Sequence, residues 1–439
     1  MRAHALPRPR RDARRRVSTP TARLRRTVGL RSAVALYVGA VLGTGILVLP
    51  AVAAETAGPA SLVAWAGLSL LSLPLALTFA ALARRQPVAG GFTAYIVRAF
   101  GTRWGAIAGW LFLAQVPTGT AFVGLLAASY LAAPFALGRD AQFVIAGAFI
   151  ALAYGLNLLG LRLVGAAQAV ATVGVLGLVV VVVLASVRDV RADAFAPLAP
   201  FGWPAVGFAA VQLFWAFVGW EAITPLAEEF HSPERDLRRA SVLSVGIVAV
   251  VYLALATVTV GTHAYGPEAS GLPPFARMAE RALGSSALVA VGIAGGLLCF
   301  TPLNAYVAGL SRLAYALARS GDLPAWVGAL HPWTGVPHRA LGALGVACLI
   351  ALGATYAADL HGADLLPIST SSFIATYVLS MAAAVRLLRG ADAVLAAVGL
   401  VACVIVLAFV GALVAWLVAV AVAASLYSGR AHRAIVRAA

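Results

Sequence analysis

The sequence predicts an all-α integral membrane protein of about twelve transmembrane helices, on three observations. Hydrophobic residues fill 62% of the 439 positions and charged residues 11%, against about 45–50% and about 25% in soluble domains. Apolar stretches near the ~20 residues that a helix needs to cross hydrocarbon recur along the whole chain. The arginines between those stretches fall mostly into alternate loops, as the positive-inside rule requires. A soluble globular fold is excluded, because the surface of a folded chain of this length must be largely wettable.

Ended at glycine, proline and charge clusters, the stretches lie at 32–54, 60–82, 104–132, 141–160, 164–187, 206–227, 240–262, 285–316, 339–357, 365–388, 391–409 and 411–428. The first follows an Arg-rich tail, residues 1–31, with eleven arginines and one acid. Its apolar run of 23 residues exceeds the 7–15 or so of a signal peptide, and many spans follow, so it is expected to be retained. The last two share a single apolar stretch, 391–428, whose turn is placed at Gly411.

The net charge of +16 raises nucleic acid as a partner, but the tail alone supplies +10 of it. No aromatic interleaving or folded reader accompanies the tail, so no nucleic-acid partner is expected. All 32 basic residues are arginine; with the N-terminus inside, 27 fall in cytoplasmic segments. The outer loops hold Arg139, Arg188, Arg191, Arg277 and Arg281. Both termini are therefore expected in the cytoplasm, with the tail drawn to anionic lipid.

Cys299, Cys348 and Cys403 lie in apolar runs and read as packed thiols. His231, His263, His331, His338 and His361 are scattered without ligand spacing, so no metal, cofactor or catalytic cluster is expected.

Two spans carry sequences ill suited to an unbroken helix. The first contains Leu42-Gly43-Thr44-Gly45 and then Pro50; the sixth contains Phe214 to Glu221, with Gly219, and then Pro225. They sit at corresponding places in two sets of five spans, 32–187 and 206–388. Five crossings reverse the direction in which the second set enters, which is the pattern of an inverted repeat with discontinuous helices 1 and 6 at the midplane. Residues 391–428 add two further helices and 429–439 a C-terminal tail. A break frees backbone groups at membrane depth, tolerable only where protein or a water-filled cavity meets them. Free N–H groups near Thr44 suit a carboxylate and free carbonyls from Trp215 to Val218 suit an ammonium group, which together match an amino-acid zwitterion. Close helix packing by small residues is the alternative reading of these glycines.

Gly43-Thr44-Gly45-Ile46 with Pro50, Pro87 to Phe92, Phe214 to Glu221, Leu226 to Ala240 and Arg319 to Pro324 resemble the signatures of the amino acid–polyamine–organocation transporters. The resemblance covers about residues 30–430, and Phe214-Trp215, Phe217 to Gly219, Glu221 and Pro233 to Asp236 draw it toward the bacterial exporters of methionine and branched-chain amino acids. It implies a five-plus-five inverted repeat in the bacterial cytoplasmic membrane. It implies that the substrate carboxylate meets backbone at Gly43, Thr44 and Gly45, and its amino group the carbonyls near Val41, Trp215 and Val218. Ala216 and Phe217 complete that contact set, and Trp215 would close over the substrate side chain. The lysine that some members hold in the fifth span is missing here, where Gln168 and Thr172 are the polar groups. The coupling ion therefore stays open.

Glu221 is the acid placed inside the hydrocarbon zone, where an unpaired carboxylate is costly, so it should be paired or protonated. It is the candidate for proton coupling, with a structural role at the break as the alternative. Gln115, Thr118, Thr120, Asn304 and Ser369 to Ser372 are polar residues within spans that could line a pathway, yet Ser and Thr also satisfy their own helix backbone, and each is expected to be structural. A pocket around Phe214, Trp215, Phe217 and Val218 is apolar and favours a neutral hydrophobic amino acid over charged substrates. Efflux follows from the resemblance alone; import and exchange remain open, and a polytopic enzyme or a receptor are the rival classes.

Overall fold

The computed structural model describes residues 29–85, 91–160, 165–221, 230, 233–266 and 272–438. The Arg-rich tail, Pro87 to Gly90, Arg162 and most of the segment from Leu226 to Ser232 lie outside the described residues, as do the side chains of Gln168 and Thr172. The described chain is helical, with no strand element. In order the helices are α1 (Leu30–Val41), α2 (Leu49–Ala57), α3 (Ser61–Arg85), α4 (Gly91–Phe100), α5 (Thr102–Ala114), α6 (Val116–Ala132), α7 (Arg139–Leu158) and α8 (Gly165–Ser186). They continue as α9 (Pro204–Leu213), α10 (Pro233–Gly261), α11 (Pro274–Leu283), α12 (Ala287–Arg319), α13 (His338–Ala357), α14 (Leu366–Leu387), α15 (Ala391–Ala408) and α16 (Val414–Ala438).

Among the described residues, nine segments are long and apolar enough to cross a membrane, and Leu30–Val41 and Pro204–Phe217 are shorter apolar helices. Helices α7, α8, α12, α13, α14 and α15 fall within a few residues of the expected spans. Helix α3 also fits its expected span, whereas α10 begins at Pro233, seven residues before the expected start, and α16 runs to Ala438, ten residues past the expected end. Three further spans differ by a break. The first is split into α1 and α2, and the sixth ends its α-helix at Leu213. The third is divided at Gln115 into α5 and α6, because Pro117, in the first turn of α6, lacks the N–H that would continue the ladder. Two helices stand outside the expected spans, α4 and α11. Helix α11 turns Phe275, Met278 and Ala279 inward, and its buried Arg277 donates to the carbonyls of Gly266 and Leu272 at 3.4 and 3.3 Å.

Helix α3 is a central post, packed against α10, α15 and α9, while α6 packs on α7, α12 and α13. Buried Trp65 of α3 meets Phe217 and Tyr252, with centroids 5.7 and 4.9 Å away. The α6–α12 contact is set by small residues: a Cβ on Gly295 would stand 2.7 Å from Tyr130 Cγ and 2.9 Å from its Cβ, and one on Gly292 2.9 Å from the Tyr130 carbonyl. The backbones thus approach more closely than any larger residue permits. At the periphery, Val394, Val398, Val401 and Ile405 of α15 and Val418 and Val422 of α16 are exposed apolar side chains, a face suited to lipid. The Arg319 to Pro324 segment ends α12: Gly321 has φ +80°, and the Asp322 carbonyl accepts from Trp110 Nε1 at 2.8 Å.

The two kinds of glycine on α12 give opposite expected outcomes in thermal unfolding of the detergent-solubilised protein. Gly295→Ala should destabilise by about 1–3 kcal/mol, since the methyl meets the root of Tyr130, which cannot swing away. Gly309, with nothing within 4 Å of an added Cβ, should gain up to about 1 kcal/mol as alanine.

Candidate functional site

The two breaks face each other. Helix α1 ends at Val41, Gly43 is extended at φ −97° and ψ −153°, and the chain re-enters a 3-10 turn, Thr44–Leu47, before α2 begins with Pro50 in its first turn. The second break runs from a 3-10 turn, Phe214–Phe217, to extended Val218 and Gly219 at φ +126°. Two glycines let them cross. A Cβ on Gly219 would lie 3.0 Å from the Ala40 carbonyl, in a backbone region that L-residues rarely adopt, and one on Gly45 would lie 3.2 Å from Ala216 Cβ.

Freed backbone groups at the crossing are met by tyrosines. Tyr252 of α10 places its hydroxyl 2.8 Å from the Val41 carbonyl and 3.0 Å from the Ala216 carbonyl, so one side chain spans both breaks. Tyr130 of α6 donates to the Leu47 carbonyl at 2.8 Å. The Gly219 N–H points at Glu221 Oε2 (3.1 Å) and Tyr377 Oη (3.2 Å), and Tyr377 donates its proton to the same Glu221 oxygen.

A cavity with about 630 Å³ of atom-free space, solvent at its mouth included, opens at the crossing. Val41, Gly43, Thr44, Gly45, Trp215, Ala216 and Val218 all line it. Phe217 does not: its ring is buried between Trp65 and Tyr252, with centroids 5.7 and 5.3 Å distant, because the 3-10 turn directs it to the opposite side from Trp215. Phe214 likewise packs on Tyr377, at 5.4 Å, away from the cavity. Glu221 lies behind Gly219 and is not part of the lining.

The Val41 carbonyl already receives Tyr252 Oη and the Gly43 N–H, at 2.8 and 2.7 Å, which uses both of its lone pairs. The Thr44 and Gly45 N–H groups precede the first bond of their turn, from the Ile46 N–H to the Gly43 carbonyl at 3.4 Å. Trp215 donates Nε1–H to Thr44 Oγ1 at 3.2 Å and stands edge-on to Phe122 and Phe373, centroids 5.4 and 5.7 Å away. Gly119 makes room for it, since a Cβ there would lie 3.1 Å from Trp215 Cη2.

Gln115 and Thr120 also line the cavity. Asn304 instead receives Asn157 Nδ2 at 2.8 Å, Ser369 pairs with Thr118 at 2.7 Å, and Ser371 and Ser372 bond the Ile368 carbonyl on their own helix. Tyr252, Tyr306, Tyr377 and Phe373 were not singled out by the sequence reading. Their signal was present, since a mid-span tyrosine must find a hydrogen-bond partner. Among the described residues, no group of three or more His, Cys, Asp or Glu side chains could hold a metal ion, and the three cysteines are free and buried.

A profile of a family described as amino acid permease matches residues 28–432. The chain is 37% identical over 390 residues to an uncharacterized amino acid permease, YecA, of Bacillus subtilis, covering 88% of this chain and 92% of that one. It is 33% identical over 400 residues to the L-methionine/branched-chain amino acid exporter YjeH of Escherichia coli, with the same two coverages. It is 28% identical over 328 residues to the branched-chain amino acid permease BcaP of Lactococcus lactis, covering 69% of this chain and 70% of that one.

Tyr252→Phe leaves two buried carbonyls without their shared donor and should cost about 1–3 kcal/mol. Tyr356→Phe, whose hydroxyl bonds Asp140 at an exposed site, should cost less than about 0.5 kcal/mol. Unfolding of the two variants in the same detergent checks the difference.

Proposed function

The chain belongs to the amino acid permease family, and from that premise we propose that it is a secondary transporter carrying neutral hydrophobic amino acids of the methionine, leucine, isoleucine and valine class by alternating access. The family and its relatives are permeases, so transport and not catalysis is the activity class. The observation that carries the substrate reading is the lining of the central cavity. No charged side chain stands among its lining residues, while backbone of Gly43, Thr44 and Gly45 supplies polarity and Trp215, Phe373 and Val218 supply apolar surface. A zwitterion held by backbone, with an uncharged side chain against aromatic walls, fits that chemistry; a substrate with a charged side chain would bury it unpaired.

A second cavity supports alternating access. It is lined by Val48, Phe122, Leu126, Arg139 and His361, and along α6 it continues where the central cavity stops, after Val123. The Trp215–Phe122 pair stands between the two and is read as a partition that must open for passage. In this reading twelve helices span the bacterial cytoplasmic membrane with both termini in the cytoplasm, 32–187 and 206–388 form the inverted repeats, and the second cavity faces outward. Efflux driven by the proton gradient is the proposed direction, favoured by the likeness to the methionine and branched-chain exporter. Glu221, bonded to Gly219 and Tyr377 at the second break, is the proposed coupling group, since its protonation would remove an acceptor from that break.

Purified full-length protein in liposomes, with a pH gradient imposed in either direction, tests this. Methionine, leucine, isoleucine and valine should move and arginine and glutamate should not; an inert protein across that panel would contradict the reading. Trp215→Ala should raise KM about tenfold, the loss of about 1.4 kcal/mol of aromatic contact. Glu221→Gln should abolish the response to the pH gradient while methionine exchange persists; an unchanged response removes Glu221 from coupling.

A further inference from the structure

A separate cavity with about 710 Å³ of atom-free space, open solvent at its mouth included, lies where α3 ends and α10 and α15 begin. Three guanidinium groups line it, those of Arg84, Arg85 and Arg238, against one carboxylate, that of Asp392. One oxygen of Asp392 holds both α3 arginines, Oδ2 standing 3.1 Å from Arg84 Nη2 and 2.6 Å from Arg85 Nη2. Arg238 is exposed and makes no ion pair among the described residues. The described lining residues carry a formal charge of +2.

The remaining lining is apolar and runs away from the helix ends. Ala81, Ala80 and Leu77 step back along α3 by one to two turns, and Leu395 lies one turn into α15. A cationic rim over an apolar wall, on the surface of a membrane bundle, has the layout of a lipid rather than of a free anion. Arginine matches phosphate by paired N–H donors, and the apolar wall offers acyl chain a place that inorganic phosphate cannot use. We propose that this cavity binds one anionic phospholipid, its phosphate between Arg85 and Arg238 and one acyl chain along the Leu77 and Leu395 wall. Basic pockets of this kind between membrane helices recognise anionic headgroups by charge, at the cytoplasmic face that the proposed orientation gives these helix ends. The site is distinct from the transport cavity and from any attraction exerted by the N-terminal tail.

Native mass spectrometry of the full-length detergent-purified protein, incubated with dioleoylphosphatidylglycerol or dioleoylphosphatidylcholine, tests the proposal. The wild type should retain phosphatidylglycerol in preference to phosphatidylcholine. Arg238→Ala, which removes an exposed side chain with no ion-pair partner among the described residues, should weaken phosphatidylglycerol retention about fivefold, and Arg85→Ala with Arg238→Ala about 25-fold, at about fivefold per charge. Retention of phosphatidylcholine should not change, and Arg238→Lys should restore most of the loss. Every variant keeps the tail, so its contribution cancels. Wild-type phosphatidylglycerol preference in the double variant would overturn the site, and displacement of the lipid by millimolar inorganic phosphate would overturn lipid as its occupant.

Discussion

Backbone polarity at membrane depth is the constraint on which the rest of this structure depends. Hydrocarbon offers no partner to a free N–H or carbonyl, so a helix interrupted there must be met by protein or by a solvated cavity. Two spans are interrupted at the same place, and the surrounding helices are equipped to meet them. Tyr252 reaches the Val41 and Ala216 carbonyls together, Tyr130 reaches Leu47, and Glu221 and Tyr377 gather at the Gly219 N–H. Backbone of Gly43, Thr44 and Gly45 lines the central cavity, and with Gln115 and Thr120 it makes that cavity polar.

This arrangement also explains why aromatic residues dominate the middle of the bundle. Each tyrosine hydroxyl that reaches a freed carbonyl brings a ring that must be packed, and those rings stack on further rings: Tyr252 on Trp65 and Phe217, Tyr377 on Phe79 and Phe214. Phe217 is thereby drawn out of the cavity into the scaffold, and Trp215, next but one in the chain, takes the cavity side. Neighbouring positions on one 3-10 turn divide the two tasks. Glycine does the complementary work at Gly45, Gly119 and Gly219, where a side chain would collide with the opposite break or with Trp215.

Much of this was legible in the sequence. For seven of the twelve spans the apolar stretches marked the helix to within a few residues, because burial in lipid imposes an apolar composition over a fixed length. The glycine-interrupted stretches marked the breaks, and seven of the eight positions named there, from residues 41–45 and 215–218 taken with the family resemblance, line the cavity; Phe217 does not, since the turn that aims it elsewhere has no signature in composition. What the sequence hid was the second layer. Tyr252, Tyr306, Tyr377 and Phe373 come from α10, α12 and α14, and only the packing of distant helices brings them to the crossing. Helices α4 and α11 were hidden for a related reason, being too short and too polar on one side to register as spans.

The central claim is that the cavity recognises both ends of a zwitterion through backbone at the two breaks. Competition against bound methionine on the purified protein, using leucine, leucinamide and 4-methylpentanoate, tests it most directly, because each analogue keeps the side chain and lacks one charged end. Leucine should compete, while both analogues should be weaker by at least about tenfold, one lost charged hydrogen-bonding group costing about 1.5–3 kcal/mol. Competition by either analogue at the strength of leucine would contradict recognition by the paired breaks.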